Sequence, residues 1–318
     1  MNKSVPERPL APRRLIHYTP LRYPGGKSKL SEYIKQIIEQ NDLVGGEYVE
    51  PYAGGAGVAL ELLFHEYVSH IHINDINRPL YSFWKSVLDD TERLVKLIRD
   101  TKPTISAWDR QKRILSEPNE YDDLQLGFAT FFLNRTNRSG ILNGGIIGGR
   151  SQSGLWKIDA RFNVPELIFR IESIAKLRHR ISVSCSDAIE FLKTRLDSLS
   201  PNTLIYLDPP YYAKGKALYF DYYTDDDHVK IARFVTSKIR HQKWIVSYDN
   251  VDPIRGLYRN CPHIVYELNY SARESRTGSE IMFFCDNLII PEHQGHTGAK
   301  IGAQNIFERH EKLRVGSK

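Results

Sequence analysis

The sequence predicts an α/β protein built on a mostly parallel sheet, with a terminal antiparallel hairpin and a large insertion, and three observations carry that expectation. Short apolar runs of strand length alternate with amphipathic helical stretches. Acidic residues stand directly after several of these runs, where ligands bind in open parallel sheets. The last two runs, His263 to Tyr270 and Glu280 to Cys285, are joined by the polar stretch Ser271 to Ser279, short enough only for a hairpin.

Along the chain, the first twenty residues are rich in Pro and Arg without a period (Pro6, Pro9, Pro12, Arg13, Arg14) and read as an extended basic arm or a leader. From Ser28, a plausible N-cap, Leu30, Tyr33, Ile34, Ile37 and Ile38 fall at helical spacing. Glu47 to Pro51 then leads into a Gly-rich turn, Val58 to Tyr67 reads as a crossover helix, and His70 to Asn74 as the next strand, ending at Asp75. A helical stretch is predicted from Pro79 to about Arg99. Phe131 to Arg161, with many Gly and basic residues and the single acid Asp159, reads as loop-rich surface. Parallel strands resume at Ile181 to Ser184, Thr203 to Leu207 and Lys243 to Ser247, with a helix from His228 to Ile239. The division expected is an arm (1–20), a catalytic domain in two pieces (21–90 and 166–290), an insertion (91–165) and a polar tail (291–318).

The 318 residues are ordinary globular material, 41% hydrophobic and 26% charged, enough for one large domain with an insertion. Lys plus Arg exceed Asp plus Glu by 44 to 38, a modest balance that gains meaning only where the positive charge clusters. Cys185, Cys261 and Cys285 form no CxxC pair, which argues against a disulfide framework or a structural zinc and fits the cytoplasm. No apolar run is long enough to cross a bilayer, so neither a signal peptide nor a membrane is expected. His65, His70 and His72 lie across a helix end and a strand, a spacing unsuited to a metal, and none is expected.

The sharpest signal is Asp208-Pro209-Pro210-Tyr211 after the run Leu204-Ile205-Tyr206-Leu207. Two prolines fix the backbone, so the Asp208 carboxylate and one proline carbonyl can both accept hydrogen bonds from a planar amine. Tyr211 offers a flat face for a base. The bland alternative is a proline-rich turn that merely ends a strand. Glu50-Pro51-Tyr52-Ala53-Gly54-Gly55-Ala56-Gly57 is a strand-to-helix turn that lets a nucleotide-like cofactor approach, or a structural turn of the same shape. Asp75 either binds ribose hydroxyls or caps the following helix, and Asp187 either binds an adenine amine or caps its own helix.

Taken in order, Arg22-Tyr23-Pro24-Gly25-Gly26-Lys27, Glu50 to Gly57, Asp75-Ile76-Asn77, Phe132-Leu133-Asn134-Arg135, Phe162-Asn163-Val164-Pro165 and Asp208-Pro209-Pro210-Tyr211 resemble the Dam-like, alpha-class DNA adenine methyltransferases over roughly residues 21 to 285. The resemblance implies a seven-stranded methyltransferase sheet with an inserted target-recognition domain at 91–165, S-adenosylmethionine as donor, and an adenine turned out of double-stranded DNA and methylated at N6. It places Asp208, Pro209, Pro210 and Tyr211 at the reacting amine. The cofactor falls to Tyr23, Lys27, Glu50, Tyr52, Ala53, Gly54, Gly55, Gly57, Asp75, Ile76, Asp187 and Asp208. A cognate restriction or defence partner is compatible with the resemblance. Cytosine N4, RNA adenine or a glutamine amide are rival acceptors, and a catalytically silent DNA-binding protein is the rival from another class.

DNA contacts fall to Asn134, Arg135, Asn137, Arg138, Asn143, Arg150 and Lys157. Within this stretch the chain departs from the members that read GATC. Arg138 stands where they carry an aromatic wedge, Asn143 where they carry a base-reading Arg, and the run Gly144 to Gly149 has no good counterpart, so a different target is expected. Ala56 also replaces the second Gly of the family's turn.

Overall fold

The computed structural model describes residues 18–22, 27, 30–213, 223–270, 276–291 and 300–302. Strands β1 (Gly46–Glu50), β2 (Val68–Asn74), β3 (Ile181–Ser184), β4 (Thr203–Leu207), β5 (Lys243–Asp249), β6 (His263–Tyr270) and β7 (Arg276–Phe284) lie in the order β3-β2-β1-β4-β5-β7-β6. The first five are mutually parallel, and β7 runs antiparallel between β5 and β6. This is the seven-stranded sheet with an antiparallel end that the sequence predicts. An eighth strand, β8 (Lys300–Gly302), pairs with the outer edge of β6. It comes from the segment expected to be a polar extension, so part of that tail joins the sheet.

β4 is buried at every position, as a central parallel strand covered on both faces must be. Helix α1 (Ser31–Gln40) buries Tyr33, Ile34, Ile37 and Ile38, the stripe seen in the sequence, with Leu30 at its N-cap; the expected cap Ser28 lies outside the described residues. Helix α2 (Gly57–Phe64) is the crossover between β1 and β2.

Three expectations about element boundaries need correction. The helix expected from Pro79 to Arg99 is two helices, α3 (Arg78–Asp89) and α4 (Thr91–Asp100), broken where Asp90 leaves helical geometry. The loop-rich surface expected from Phe131 begins later. After α5 (Ile105–Ser116), α6 (Asp123–Thr136) starts at an Asp122/Gln125 capping box and buries Phe131, Phe132 and Leu133. Only beyond Asn137 does the chain become loop, as far as α7 (Val164–Lys176). Past α8 (Ala188–Arg195), the helix expected over His228 to Ile239 is α9 (Asp225–Arg233) continued by a wider turn, Phe234–Lys238. A short α10 (Asp252–Leu257) follows β5.

The segment 91–165 shares the main core. Phe131 stacks on Phe83 with ring centroids 5.8 Å apart and meets Phe162 edge-on at 5.7 Å, while Leu94 and Ile98 belong to the same apolar cluster. A small separate cluster, Leu115, Leu126 and Leu133, ties α5 to α6. Among the described residues no helix is long and apolar enough to cross a membrane.

Candidate active site

Strand order reverses between β1 and β4, which opens a crevice at their C-terminal ends. Each of the five parallel strands delivers one carboxylate there. Read across the sheet they are Asp187 after β3, Asp75 after β2, Glu50 ending β1, Asp208 after β4 and Asp249 ending β5. Five acids along one edge repel one another unless each has a separate partner, and the partners differ.

Asp208 shares its partner. Lys27 Nζ lies 3.4 Å from Asp208 Oδ1 and 2.7 Å from Glu280 Oε2, and it donates to the Tyr211 hydroxyl at 3.0 Å. Tyr211 in turn donates to Glu280 Oε1 at 2.7 Å, and Tyr266 to Glu280 Oε2 at 2.8 Å. Burial pushes the lysine down, but Asp208, Tyr211 and Glu280 outweigh it and hold the ammonium well above the ordinary range. Asp208 is pushed up to about 6, chiefly by burial, with Lys27 opposing and Glu280 reinforcing the rise. Its side chain keeps 22% of its surface, so it still faces the crevice.

Glu280 and Tyr266 were not anticipated. The available signal was a carboxylate beside the apolar run Ile281-Met282-Phe283-Phe284, a place where an acid needs a buried cation. Tyr211, expected to present an open face, is only 5% exposed, with Lys27 Nζ 4.9 Å from its ring centre. Pro209 is buried and Pro210 half-buried. Asp249, also unanticipated, accepts from the backbone N–H groups of Tyr212 and Ala213, both at 2.9 Å, and so pins the chain just past Tyr211.

Glu50 is 5% exposed. Burial, then the nearby Asp208, raise its carboxyl well above the usual range against a bond from the Ala59 N–H. Its Oε2 is buried without a hydrogen-bond partner, while the Asp208 Oδ1 atom, also buried, faces the Lys27 ammonium at 3.4 Å. The turn that follows is braced on every side. Ala53 N–H donates to Asn74 O at 2.8 Å, Trp84 Nε1 to Gly54 O at 3.0 Å, and Thr19 Oγ1 to Gly55 O at 2.5 Å. Ala56, just before Gly57 opens α2, holds φ +47°, ψ +35°, a left-handed conformation natural to the Gly it replaces.

Asp75 accepts from the Gly54 N–H and the Asn77 N–H, both at 2.9 Å, which fixes its carboxylate against the turn, and Asn77 caps α3 instead. Ile76 beside it is 52% exposed, an apolar face at the crevice mouth. Tyr52 pairs hydroxyls with Tyr223 at 2.7 Å. Asp187 caps α8 through Ile189 N–H and Glu190 N–H, so of its two expected roles the capping one is visible. Tyr23 lies outside the described residues.

The residues expected to touch DNA divide into two groups. Asn134 and Asn137, 1% and 0% exposed, face inward, a correction to their expected role. Asn134 accepts from Arg22 N–H at 2.7 Å and donates to Arg22 O at 2.8 Å and Gly140 O at 2.9 Å. A Cβ on Gly140 would stand 2.0 Å from Arg22 O, so only Gly permits this clamp. Asn137 donates to Ile141 O and Leu142 O and accepts from Trp108 Nε1. Both amides therefore shape the loop base, and Asn134 also holds the backbone at Arg22. Arg135 is half-buried, bonded to Arg161 O at 2.7 Å and Pro20 O at 3.5 Å, and drops to about 9 through burial and then the charges of Arg22 and Arg170. Arg138, Asn143, Arg150 and Lys157 are exposed, with Arg150 paired to Asp109 at 2.9 Å. The histidines have ordinary partners: His65 with Glu61, His70 with Ser182, His72 with Glu47.

A model of the D12 class N6 adenine-specific DNA methyltransferases matches residues 23–272. The chain is 25% identical over 242 residues to the type II methyltransferase M.MjaIII of Methanocaldococcus jannaschii, covering 67% of this chain and 78% of that one. It is 24% identical over 280 residues to the retron Ec67 DNA adenine methylase of Escherichia coli, covering 83% and 90%. The family match runs through Lys27, the Gly54 turn, Asp75 and Asp208, the residues that converge on the crevice. This chain belongs to the D12 class of N6 adenine-specific DNA methyltransferases.

Proposed function

We propose that the chain transfers a methyl group from S-adenosylmethionine to N6 of an adenine extruded from double-stranded DNA, with Asp208 and the Pro209 carbonyl holding the amine. The observation that supports this most is the pair of acids at the switch point: Glu50 Oε2 is buried without a hydrogen-bond partner, and Asp208 beside it raises the Glu50 carboxyl. Such a pair calls for a cationic ligand with hydrogen-bond donors. S-adenosylmethionine fits, being cationic at its sulfonium and amino groups. Glu50, the Gly54 to Gly57 turn, Asp75 and the apolar Ile76 would hold it, and bound there it would supply an activated methyl group.

The chain's own residues perform the remaining tasks. Asp208 accepts one amine hydrogen and the Pro209 carbonyl the other, which fixes the nitrogen lone pair and favours the positive charge that develops on it. Lys27 and Glu280 hold Asp208 and Tyr211 in register, and Asp249 fixes the backbone beyond them. No strong base is required, because an acid poised near 6 is a carboxylate at neutral pH and need only accept hydrogen bonds.

Duplex DNA as the substrate is supported by the arginines gathered at the loop base, where Arg22, Arg170 and Arg161 all depress Arg135 and only Glu166 favours its charged form. A polyanion would relieve that repulsion. In this reading 91–165 is the target-recognition segment, with Arg138, Asn143, Arg150 and Lys157 on its face, and the enzyme works in the cytoplasm. The test is expression in a methylation-deficient host followed by single-molecule sequencing of its DNA. N6-methyladenine at one recurrent sequence is expected from the wild type and none from Asp208→Ala. A host genome free of methyladenine despite folded, cofactor-competent protein would overturn the reading.

A further inference from the structure

Beyond the polar contacts, one part of the surface is built for a task that neither the sequence pattern nor the catalytic crevice explains. Among the described residues, Leu155 at 87% and Trp156 at 62% are the two most exposed of the large apolar side chains, and they are adjacent. An exposed Leu-Trp pair costs hydrophobic free energy and invites aggregation unless a partner covers it.

The exposure is held in place. Gln152, itself at φ +49°, donates from Nε2 to Ile147 O at 2.8 Å and Gly149 O at 2.6 Å, and its Oε1 accepts from Ile158 N–H at 2.8 Å. Lys157 Nζ closes onto Gln152 O. Ile146 and Ile158, at 4% and 6% exposure, anchor the loop from beneath, and Phe162 enters the main core. The tip carrying Leu155 and Trp156 is thus the outward end of a loop tied across its middle by one glutamine. A binding element fixed in this way loses little entropy on contact.

The surroundings state the partner's charge. The Arg161 guanidinium lies 5.9 Å from the Trp156 ring centre, and Lys157, Arg138 and Arg150 stand along the same loop with Asp159. A flat aromatic face beside a guanidinium, on a loop with more basic than acidic residues, suits a nucleic acid, whose bases stack while its phosphates take the positive charge.

We propose that Leu155 and Trp156 form a hydrophobic tip that enters duplex DNA and stacks on a base face while Lys157 and Arg161 grip the flanking phosphates. This rests on duplex DNA being the substrate. The tip lowers the cost of unstacking a base pair step, as apolar wedges do when they open DNA.

The test titrates the full chain with a labelled 30-base-pair mixed-sequence duplex, following anisotropy and tryptophan emission together. Trp84 and Trp244 are each 2% exposed and Trp108 is half-buried, so Trp156 is the tryptophan open to quenching by bound bases. Expected results are quenching on binding by the wild type, a loss of about tenfold to a hundredfold in affinity for Trp156→Ala, and near wild-type affinity for Trp156→Phe. The salt dependence should stay unchanged in Trp156→Ala but flatten in Lys157→Gln. Unaltered S-adenosylmethionine binding in each variant shows that the fold is intact. Wild-type affinity in Trp156→Ala, or saturating binding without quenching, overturns the proposal while leaving the DNA substrate standing. Failure of the wild type to bind the duplex at all overturns both.

Discussion

Lys27 Nζ, 2.7 Å from Glu280 Oε2 and 3.4 Å from Asp208 Oδ1, joins the start of the catalytic segment to the last strand of the central seven through one buried cation. Glu280→Gln keeps the shape but removes a charge. Lys27 would then face Asp208 alone, and the Tyr211 and Tyr266 hydroxyls would compete for one amide oxygen. We expect a stability loss of about 2–4 kcal/mol by urea denaturation. Methyl transfer should fall with it, and its acid limb should move to lower pH because a like charge that raises Asp208 is gone. An unchanged pH profile would show that Glu280 does not act on Asp208.

Asp208 itself should be costly to the fold. Its carboxyl is raised to about 6, first by burial, against roughly 3.9 for an unfolded aspartate. The folded state therefore holds a proton more tightly than the unfolded one between these values, and stability falls as pH rises from about 4 to 6. Asp208→Asn, neutral at every pH, should lose methyl transfer yet gain about 1–3 kcal/mol over the wild type at pH 8, with little gain at pH 4. Wild-type turnover should decline below about pH 6 as the carboxylate protonates. Melting curves at the two pH values check the first statement, and a rate profile the second.

Asp75 carries two duties that two substitutions separate. Asp75→Asn retains an oxygen for the Gly54 or Asn77 N–H, whereas Asp75→Ala releases both and loosens the turn. Calorimetry should show cofactor binding weakened by about 1–3 kcal/mol in Asp75→Ala and by less in Asp75→Asn. Equal affinity for Asp75→Ala and the wild type would remove Asp75 from the cofactor site.

Ala56→Gly should stabilise the protein by up to ~1 kcal/mol. Relief of the left-handed strain at φ +47° is worth roughly 1–2 kcal/mol, partly offset by the greater freedom of Gly in the unfolded chain. A lower melting temperature would mean that the Ala56 methyl, fully buried, contributes more by packing than it costs in strain.

The recognised site should differ from GATC if the resemblance aligns as the sequence suggests, with Arg138 and Asn143, both exposed, at the places where GATC-reading members carry a wedge and a base-reading Arg. Plasmid from a Dam-deficient host expressing this enzyme should remain cuttable by a nuclease that GATC methylation blocks, while containing N6-methyladenine by mass spectrometry. Full protection would reverse the expectation.

What the sequence disclosed was the framework of the crevice. Asp75, Asp187 and Asp208 follow apolar strand runs, and that local pattern alone placed them on one edge of the sheet. What it concealed depends on contacts between distant residues. Glu280 could be tied to Lys27 only after β7 was known to lie beside β5, and nothing near Asp249 announces that it would catch the Tyr212 and Ala213 N–H groups. Asn134 and Asn137 misled for a related reason: a polar residue next to arginines in a Gly-rich region looks like a reader of DNA, yet their bonding partners, Arg22 and Trp108, lie far away in the chain and turn them inward.

The placement of β7 also bears on when the enzyme can act. β7 is the last of the seven strands to be synthesised, yet it occupies an interior position between β5 and β6, so a nascent chain must keep that gap open. Until β7 emerges, β5 has no partner on one side and Lys27 has no Glu280 to receive it. Pairing of this kind, between segments far apart in sequence, forms slowly and late. A growing polypeptide on the ribosome therefore carries the Asp208 motif long before it can hold it in working order, and modification of DNA must wait until β7 has been made and paired.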